Sequence, residues 1–319
     1  DLEHPTLTAM ALGAARGAPL PYPYARAVRD TELLAVDPED PGRVVAAGML
    51  RAESGLAVVG SWTARGPAGD PLDLALGLDG RFVATRDLTQ VEAPEAPAVT
   101  LGGGARLPLG IVTRRGAARL ALERTELVDR GRLPMHSTVA LSGEVRRVGR
   151  TELLATRDGE FVRARDVARV EAPASLPTWA EGGVRWLDVD LTARVVLAFE
   201  GALPVRAALI STGAPAPGSA GELRVTAKAI ARLGAASALR VEGHEVRDAP
   251  WTLDLSDGRR LVGAYWHGRF GSESRSGALE LAPADARFLF DFVGPELPAG
   301  WHGVVTAEAD DRRARVRVR

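Results

Sequence analysis

The 319 residues are 46% apolar and 25% charged, which is enough for two or three domains with real cores and reads as a soluble, globular chain. A formal net charge of −1, with no long basic run, argues against a nucleic-acid surface driven by counterion release. The absence of cysteine excludes disulfides, cysteine–zinc sites and thiol catalysis together, while leaving the redox compartment open.

No apolar run reaches the roughly 18 residues that a membrane helix needs. The N-terminus lacks a charged-then-apolar signal pattern, so Asp1 reads as the start of a trimmed or mature chain. Of the 40 Lys and Arg residues only Lys228 is lysine, a bias that a GC-rich genome explains before function does. Residues 1–50 are expected to form an extended N-terminal arm. The stretch Gly17-Ala-Pro-Leu-Pro-Tyr-Pro-Tyr24 holds three prolines in six residues, which forbids a regular helix. Its Tyr22 and Tyr24 are expected to pack onto a neighbouring domain rather than to stack on a ligand.

An internal repeat follows. Asp79-Gly-Arg-Phe-Val-Ala-Thr-Arg-Asp-Leu-Thr-Gln-Val-Glu-Ala-Pro94 recurs 79 residues later as Asp158-Gly-Glu-Phe-Val-Arg-Ala-Arg-Asp-Val-Ala-Arg-Val-Glu-Ala-Pro173, with ten of sixteen positions identical. That spacing indicates two copies of a small module, placed at 51–98 and 99–178. In each copy a polar Asp-Gly turn separates short apolar runs, which is hairpin chemistry. These copies resemble bacterial β-barrels of the Src-homology-3 kind, in which a Gly-x-Phe-Val strand is followed by a short Arg-Asp-Val turn and a last strand. Such barrels accompany cell-wall enzymes either as binders or as spacers. Trp62, Phe82 and Phe161 are the aromatics a ligand groove would use, but both phenylalanines sit at strand positions that suit a core. The glycines in Val99-Thr-Leu-Gly-Gly-Gly-Ala-Arg-Leu-Pro108 lack the Gly-Lys-Ser/Thr of a phosphate loop and read as a plain loop. Residues 172–183 form the clearest linker.

The last domain, 179–319, opens with apparent hairpins over Arg185–Leu191 and Arg194–Phe199. Pro283-Ala-Asp-Ala-Arg-Phe-Leu-Phe-Asp-Phe-Val293 is the best helix in the sequence, with proline in its first turn, apolar residues at 286, 289, 290 and 293, and Gly294-Pro295 as its stop. Val304-Val305 and Val316-Arg-Val318 look like closing strands either side of an Asp310–Arg313 turn. The predicted class is therefore mainly β: two small barrels, then a β-sandwich with one or two helices.

Between those elements lie Gly263-Ala-Tyr-Trp-His-Gly-Arg-Phe-Gly271 and Arg275-Ser-Gly-Ala-Leu-Glu-Leu281, followed by Pro283-Ala-Asp-Ala286 and Pro295-Glu-Leu-Pro-Ala-Gly-Trp301. Upstream are the strand around Trp186-Leu-Asp-Val-Asp-Leu191, the strand ending Leu209-Ile-Ser-Thr-Gly213, and a Ser219-Ala-Gly221 turn leading to Lys228. Together they resemble the catalytic domain of peptidoglycan L,D-transpeptidases from Val184 to about Val318, some 40% of the chain. In that family the first run leads into Ser-His-Gly-Cys-Val-Asn-Leu. The resemblance places Ala278 at the family's nucleophilic cysteine and Val262 at its base histidine, sixteen positions earlier. Ser276, Arg275 and Glu280 replace its histidine, serine and asparagine. A methyl group is no nucleophile and an isopropyl group is no base. Such concerted replacement within an intact frame reads as natural loss of catalysis, with only backbone oxyanion donors left to survive.

Other chemistry is thin. A serine–histidine site built on Ser276 or Ser274 with His267 lacks an orienting acid and a Gly-x-Ser-x-Gly elbow, and His267 reads foremost as a hydrogen-bonded wall residue. His4, His136, His244, His267 and His302 show no paired spacing, so no metal is expected, and no cofactor motif is present. What the resemblance leaves is a cleft of Tyr265, Trp266, His267, Arg269, Arg275, Ser276, Gly277 and Glu280. Arg260, Arg269 and Arg275 are suited to the carboxylate end of a stem peptide, unless Glu280 pairs with Arg275. The expected role is an inactive cell-envelope protein, periplasmic by the same implication, that binds peptidoglycan or scaffolds a cell-wall partner. The alternatives are a hydrolase of altered mechanism using Ser276 or His267, and a structural subunit of an envelope assembly.

Overall fold

A computed structural model describes residues 8–9, 18–96, 98–102, 105–124, 126–214, 218–233, 238–307 and 313–319. The structure is mainly β with one α-helix among the described residues. The two sequence copies fold to one plan. In the first, strands Tyr24–Ala27, Thr31–Val36, Val44–Leu50, Gly55–Arg65, Pro71–Gly77, Phe82–Ala84 and Leu88–Val91 follow one another, with a 3-10 turn at Thr85–Asp87. In the second, the same series is Leu109–Val112, Ala118–Glu123, Glu126–Arg132, Thr138–Val148, Thr151–Thr156, Phe161–Arg163 and Val167–Val170, with the turn at Ala164–Asp166. In both, the first strand pairs antiparallel with the long fourth strand and with the last. The second strand meets the phenylalanine strand, through Leu34 opposite Phe82 and Leu120 opposite Phe161. Phe82 and Phe161 are buried in their own cores, and Trp62 packs on Phe82 at 5.3 Å.

The repeated residues explain this plan. Gly80 and Gly159 take φ of +77° and +85° after their aspartates, a conformation that costs glycine little and that closes each hairpin. Each 3-10 turn buries its aspartate. Asp87 accepts from Thr31 Oγ1 at 2.7 Å and from Arg29 Nε at 2.8 Å, which ties the turn to the second strand.

Two stretches pair as strands where the sequence pattern shows none. Of the predicted arm, Thr8–Ala9 pairs antiparallel with Ser61 and Gly60 of strand Gly55–Arg65. From Tyr24 onward the chain supplies three strands, which pair among themselves and with Gly55–Arg65, Phe82–Ala84 and Leu88–Val91. Those strands carry little of the repeated sequence, and their partners lie across the unit rather than nearby in the chain. Within the predicted glycine loop, Val99–Thr100 adds to the edge strand Leu203–Leu209 of the last domain, with Ala207 opposite Val99. Most of Thr6–Leu12 and of the predicted 310–313 turn lies outside the described residues.

The last domain follows the order Leu279–Leu281, Arg260–Gly263, Pro250–Leu255, Gly221–Ala231, Arg315–Val318, Arg185–Asp190, Val195–Glu200, Leu203–Leu209. Its core brings Leu187, Val225, Leu253 and Leu279 against helix Pro283–Phe292, on the predicted face Ala286, Leu289 and Phe290, with Val293 just beyond. Lys228 is buried. Its Nζ donates to Val293 O and Pro295 O, each at 2.8 Å, and so closes the carbonyl end of the helix. Burial pulls this ammonium down to about 8, with Asp291 and Glu296 pulling it back. Asp188, fully buried on strand Arg185–Asp190, receives Arg317 Nε at 2.6 Å and Arg319 Nε at 2.9 Å from the neighbouring parallel strand.

Two outcomes follow from these buried charges. Asp188→Ala removes the buried carboxylate that Arg317 and Arg319 share and is expected to lower unfolding free energy by about 3 kcal/mol, the low end for buried pairs because Arg319 stays partly exposed and keeps Asp190; denaturant unfolding measures it. Asp285, in the helix's first turn, is buried, and burial lifts its carboxyl to about 6 although Arg206 Nη2 at 2.9 Å pulls the other way. Its folded pKa lies above the unfolded value, so the folded state holds the proton more tightly. Stability relative to Asp285→Asn is therefore expected to fall as pH rises from about 4 to 6. A rise over that range would mean that the Arg206 pairing outweighs desolvation.

Candidate functional site

The residues of Gly263–Gly271 lie where all three units meet. Strand Arg260–Gly263 ends by placing Val262 inward. The parallel pairing of this strand with Leu279–Leu281 sets Ala278 just before Leu279, beside it. Val262 and Ala278 are 1% and 2% exposed and share one apolar cluster with Tyr24, Ala57, Leu239, Val246, Ala249 and Tyr265. Tyr24 and Ala57 belong to the first repeat unit. The pair of positions singled out in the sequence is thus brought together and is covered by the molecule's own N-terminal half.

That cover is bonded as well as packed. The Tyr24 and Tyr265 rings lie 4.2 Å apart; Tyr24 Oη donates to Asp248 O at 2.7 Å and Tyr265 Oη to Arg247 O at 2.8 Å. Burial pushes both phenols far above their usual range, so they act as neutral donors. Hairpin Leu239–Val241/His244–Val246 extends the first unit's sheet, with Val246 opposite Gly55. Arg247, also buried, donates to Glu245 Oε2 at 3.0 Å and to Asp79 Oδ2 at 3.2 Å, the latter from the repeat's own Asp-Gly turn. Gly55 is where backbone comes closest: a Cβ there would lie 2.5 Å from Tyr265 Oη. On the other side, Phe270 packs with Leu109 and Ile111 of the second unit, and a Cβ on Gly271 would meet Thr113 Cγ2 at 2.6 Å.

The remaining candidates separate into two places. Tyr265 and Trp266 face the first unit, beside Gly55 and Val91. His267, Arg269 and Arg275 border an open cleft of about 390 Å³ with Ser211, Glu242 and Ser274. Arg260 does not border it. Glu280, 0% exposed, pairs with His267 and not with Arg275: His267 Nε2 and Glu280 Oε2 are 2.8 Å apart. Arg275 is exposed and Arg269 lies 3.8 Å from Glu242, so both guanidiniums stay on the rim while the carboxylate is held beneath the imidazole. The backbone fixes this order, since Glu280 and Ser211 exchange N–H···O bonds of 2.8 Å in both directions and Ser211 Oγ donates to Arg269 O.

This geometry bears on each chemistry considered. His267 Nδ1 accepts from Arg269 N at 3.1 Å, which assigns Nε2–H as donor to Glu280. Both ring nitrogens are engaged, and neither is left to take a proton from a hydroxyl. Ser276 Oγ accepts from Ala278 N at 3.1 Å, so the backbone donor expected to survive as an oxyanion contact is turned back onto its own loop. Gly277 supports that loop with φ +78°. Among the described residues no cluster of three or more His, Asp or Glu side chains could hold a metal ion.

No protein-family model matches the chain, and no curated protein sequence matches it. Solved structures do. An L,D-transpeptidase from Xylanimonas cellulosilytica (residues 123–326) is 15% identical, over 47% of this chain and 64% of its own, with a TM-score of 0.30. The L,D-transpeptidase LdtMt1 in complex with imipenem is 12% identical, over 65% and 100%, at 0.32. An L,D-transpeptidase from Mycobacterium tuberculosis is 12% identical, over 72% and 92%, also at 0.32. All three are L,D-transpeptidases by description. This chain spans under two thirds of the first.

The sequence marks Tyr24 as a packing residue without its partner, and carries no signal for Gly55, Ala57 or Arg247. In this cysteine-free chain, a cysteine introduced as Ala278→Cys is expected to react with a thiol reagent at least about tenfold more slowly than one at exposed Arg275→Cys, because access governs thiol reactivity. Adding Gly55→Ala to Ala278→Cys should raise its rate, since the methyl wedges the cover away from Tyr265. Equal rates at positions 278 and 275 would contradict the buried placement.

Proposed function

We propose that this protein is a catalytically silent, L,D-transpeptidase-like component of the cell envelope, on its periplasmic side, that binds peptidoglycan or scaffolds a cell-wall partner. The observation that carries this reading is the joint burial of Val262 and Ala278 in an apolar cluster closed by Tyr24 and Tyr265. Neither side chain has an atom able to attack a carbonyl or move a proton. A substrate reaching them would have to displace the first repeat unit and break its bonds to Asp248 and Arg247. The repeat units, read as barrels of the Src-homology-3 kind, fit the role of fixed walls better than that of free ligand modules, because their aromatic residues are in their cores or against the last domain.

What stays open is the cleft over His267. The Arg269 and Arg275 guanidiniums at its rim suit a peptide carboxylate, with Ser211 and Ser274 nearby as hydrogen-bonding groups. The second reading, a hydrolase using Ser276, is disfavoured by Ser276 Oγ accepting the Ala278 amide and by His267 having no nitrogen free.

Co-sedimentation of the full-length protein with insoluble peptidoglycan sacculi tests the proposal. The wild type is expected to pellet in roughly physiological salt, and Arg269→Ala/Arg275→Ala to remain in the supernatant while releasing no D-amino acid from wall fragments, as the wild type also should not. Pelleting unaffected by the double substitution would remove the cleft from the proposal. Turnover of wall fragments by the wild type would overturn it.

A further inference from the structure

A second cleft, of about 620 Å³, opens where the second repeat unit docks on the last domain, and its charged lining is mostly arginine. Arg114 follows strand Leu109–Val112, Arg165 lies in the 3-10 turn Ala164–Asp166, and Arg169 lies in strand Val167–Val170. Arg194 comes from the last domain, at the turn that joins Arg185–Asp190 to Val195–Glu200. Ser272 and Glu273 line both this cleft and the one over His267.

Most arginines in this chain are matched by carboxylates, and here the matching is incomplete. Glu171 is taken by Arg169 at 2.5 Å and Asp190 by Arg319 at 2.7 Å. Arg165 lies 3.8 Å from Asp166. Among the described residues Arg114 and Arg194 have neither ion-pair nor side-chain hydrogen-bond partners, leaving Glu273 as the one opposing charge in the lining without a salt bridge. Arg169 and Arg194 each also carry a buried Nε–H with no acceptor, an unfavourable state for a desolvated donor. Arg194 further holds φ +55°, where a glycine or asparagine would sit without strain. Arg194 is thus held in a left-handed turn with its guanidinium unpaired, and a bound anion would supply the missing partner.

The geometry points to a binding site for a multiply charged oxyanion, carrying a phosphate or paired carboxylates, between Arg114, Arg165, Arg169 and Arg194. Guanidinium forks match either group bidentately. Because Arg194 belongs to one unit and the other three arginines to another, the bound anion bridges them and strengthens the docking of the second repeat on the last domain. The site adjoins the cleft of the proposed function through Ser272 and Glu273 but uses different arginines and does not depend on that function.

Isothermal titration of the full-length protein with inorganic phosphate and, separately, with glutarate at low ionic strength tests this. Saturable binding is expected, weakening as salt is raised. Arg114→Ala/Arg194→Gly should reduce affinity at least about tenfold, with glycine chosen because it accepts φ +55° and keeps the turn. Arg269→Ala/Arg275→Ala should leave anion affinity unchanged. A preference for phosphate assigns phosphate-bearing ligands to the site and a preference for glutarate assigns peptide carboxylates. Absence of saturable binding to either anion would overturn the inference, as would full affinity in Arg114→Ala/Arg194→Gly with an unchanged melting temperature, or a loss seen only in Arg269→Ala/Arg275→Ala.

Discussion

Tyr265 is the residue on which the arrangement depends. Its hydroxyl donates to Arg247 O, its ring lies against Tyr24, and its edge fits over Gly55 so closely that a single methyl there would collide with it. A tyrosine buried this deeply is stable only because the phenol finds an acceptor; without Arg247 O the hydroxyl would be a desolvated donor costing about 1–3 kcal/mol. The acceptor exists because hairpin 239–246 joins the first unit's sheet and presents Arg247 and Asp248 to it. Strand pairing, ring packing and hydrogen bonding therefore support one another across the boundary between the first unit and the last domain.

This closure gives the proposed loss of catalysis a physical form. On the proposed reading, valine and alanine stand where the resemblance places a base and a nucleophile, and such side chains give no reason to keep water and substrate at those positions. Apolar side chains left at the bottom of a cleft gain by being covered, at roughly 25 cal/mol per Å² of apolar surface. Tyr24 and Ala57 provide that cover. The polar remainder, His267 over Glu280, is held shut by the opposite means: a buried carboxylate and an imidazole whose two nitrogens are both engaged. A hydrogen-bonded pair of this kind orients a wall of the open cleft without offering a proton acceptor to it.

Much of the local structure was legible. The Pro283 start and the 286, 289, 290 spacing predict the helix within one residue, and the Asp-Gly turns predict both hairpins together with the core positions of Phe82 and Phe161. What the sequence pattern does not carry is long-range. Strands 24–50 read as an arm because their partners, such as Phe82 for Leu34, lie far along the chain. Val99–Thr100 read as a loop because two residues pairing with another domain's edge leave no periodicity. Sequence proximity leaves Arg275 as a possible partner of Glu280, whereas the parallel pairing with Arg260–Gly263 turns its side chain inward beneath His267. The sequence names Val262, Ala278 and Tyr265, which share one buried cluster, but not what covers them, since nothing in a local pattern records which surface of one unit meets another.

The central claim is that the first repeat unit and the segment around Val262 and Ala278 form one closed body, and native-state hydrogen exchange measures this most directly. If the closure holds, amides of strands Gly55–Arg65 and Arg260–Gly263 will exchange with the same opening free energy, close to that of global unfolding, and will respond together to denaturant. Should the amides near Gly55 and Val246 open at far lower free energy while Arg260–Gly263 stays protected, the cover would be a loosely resting flap, and the claim of a sealed site would be contradicted.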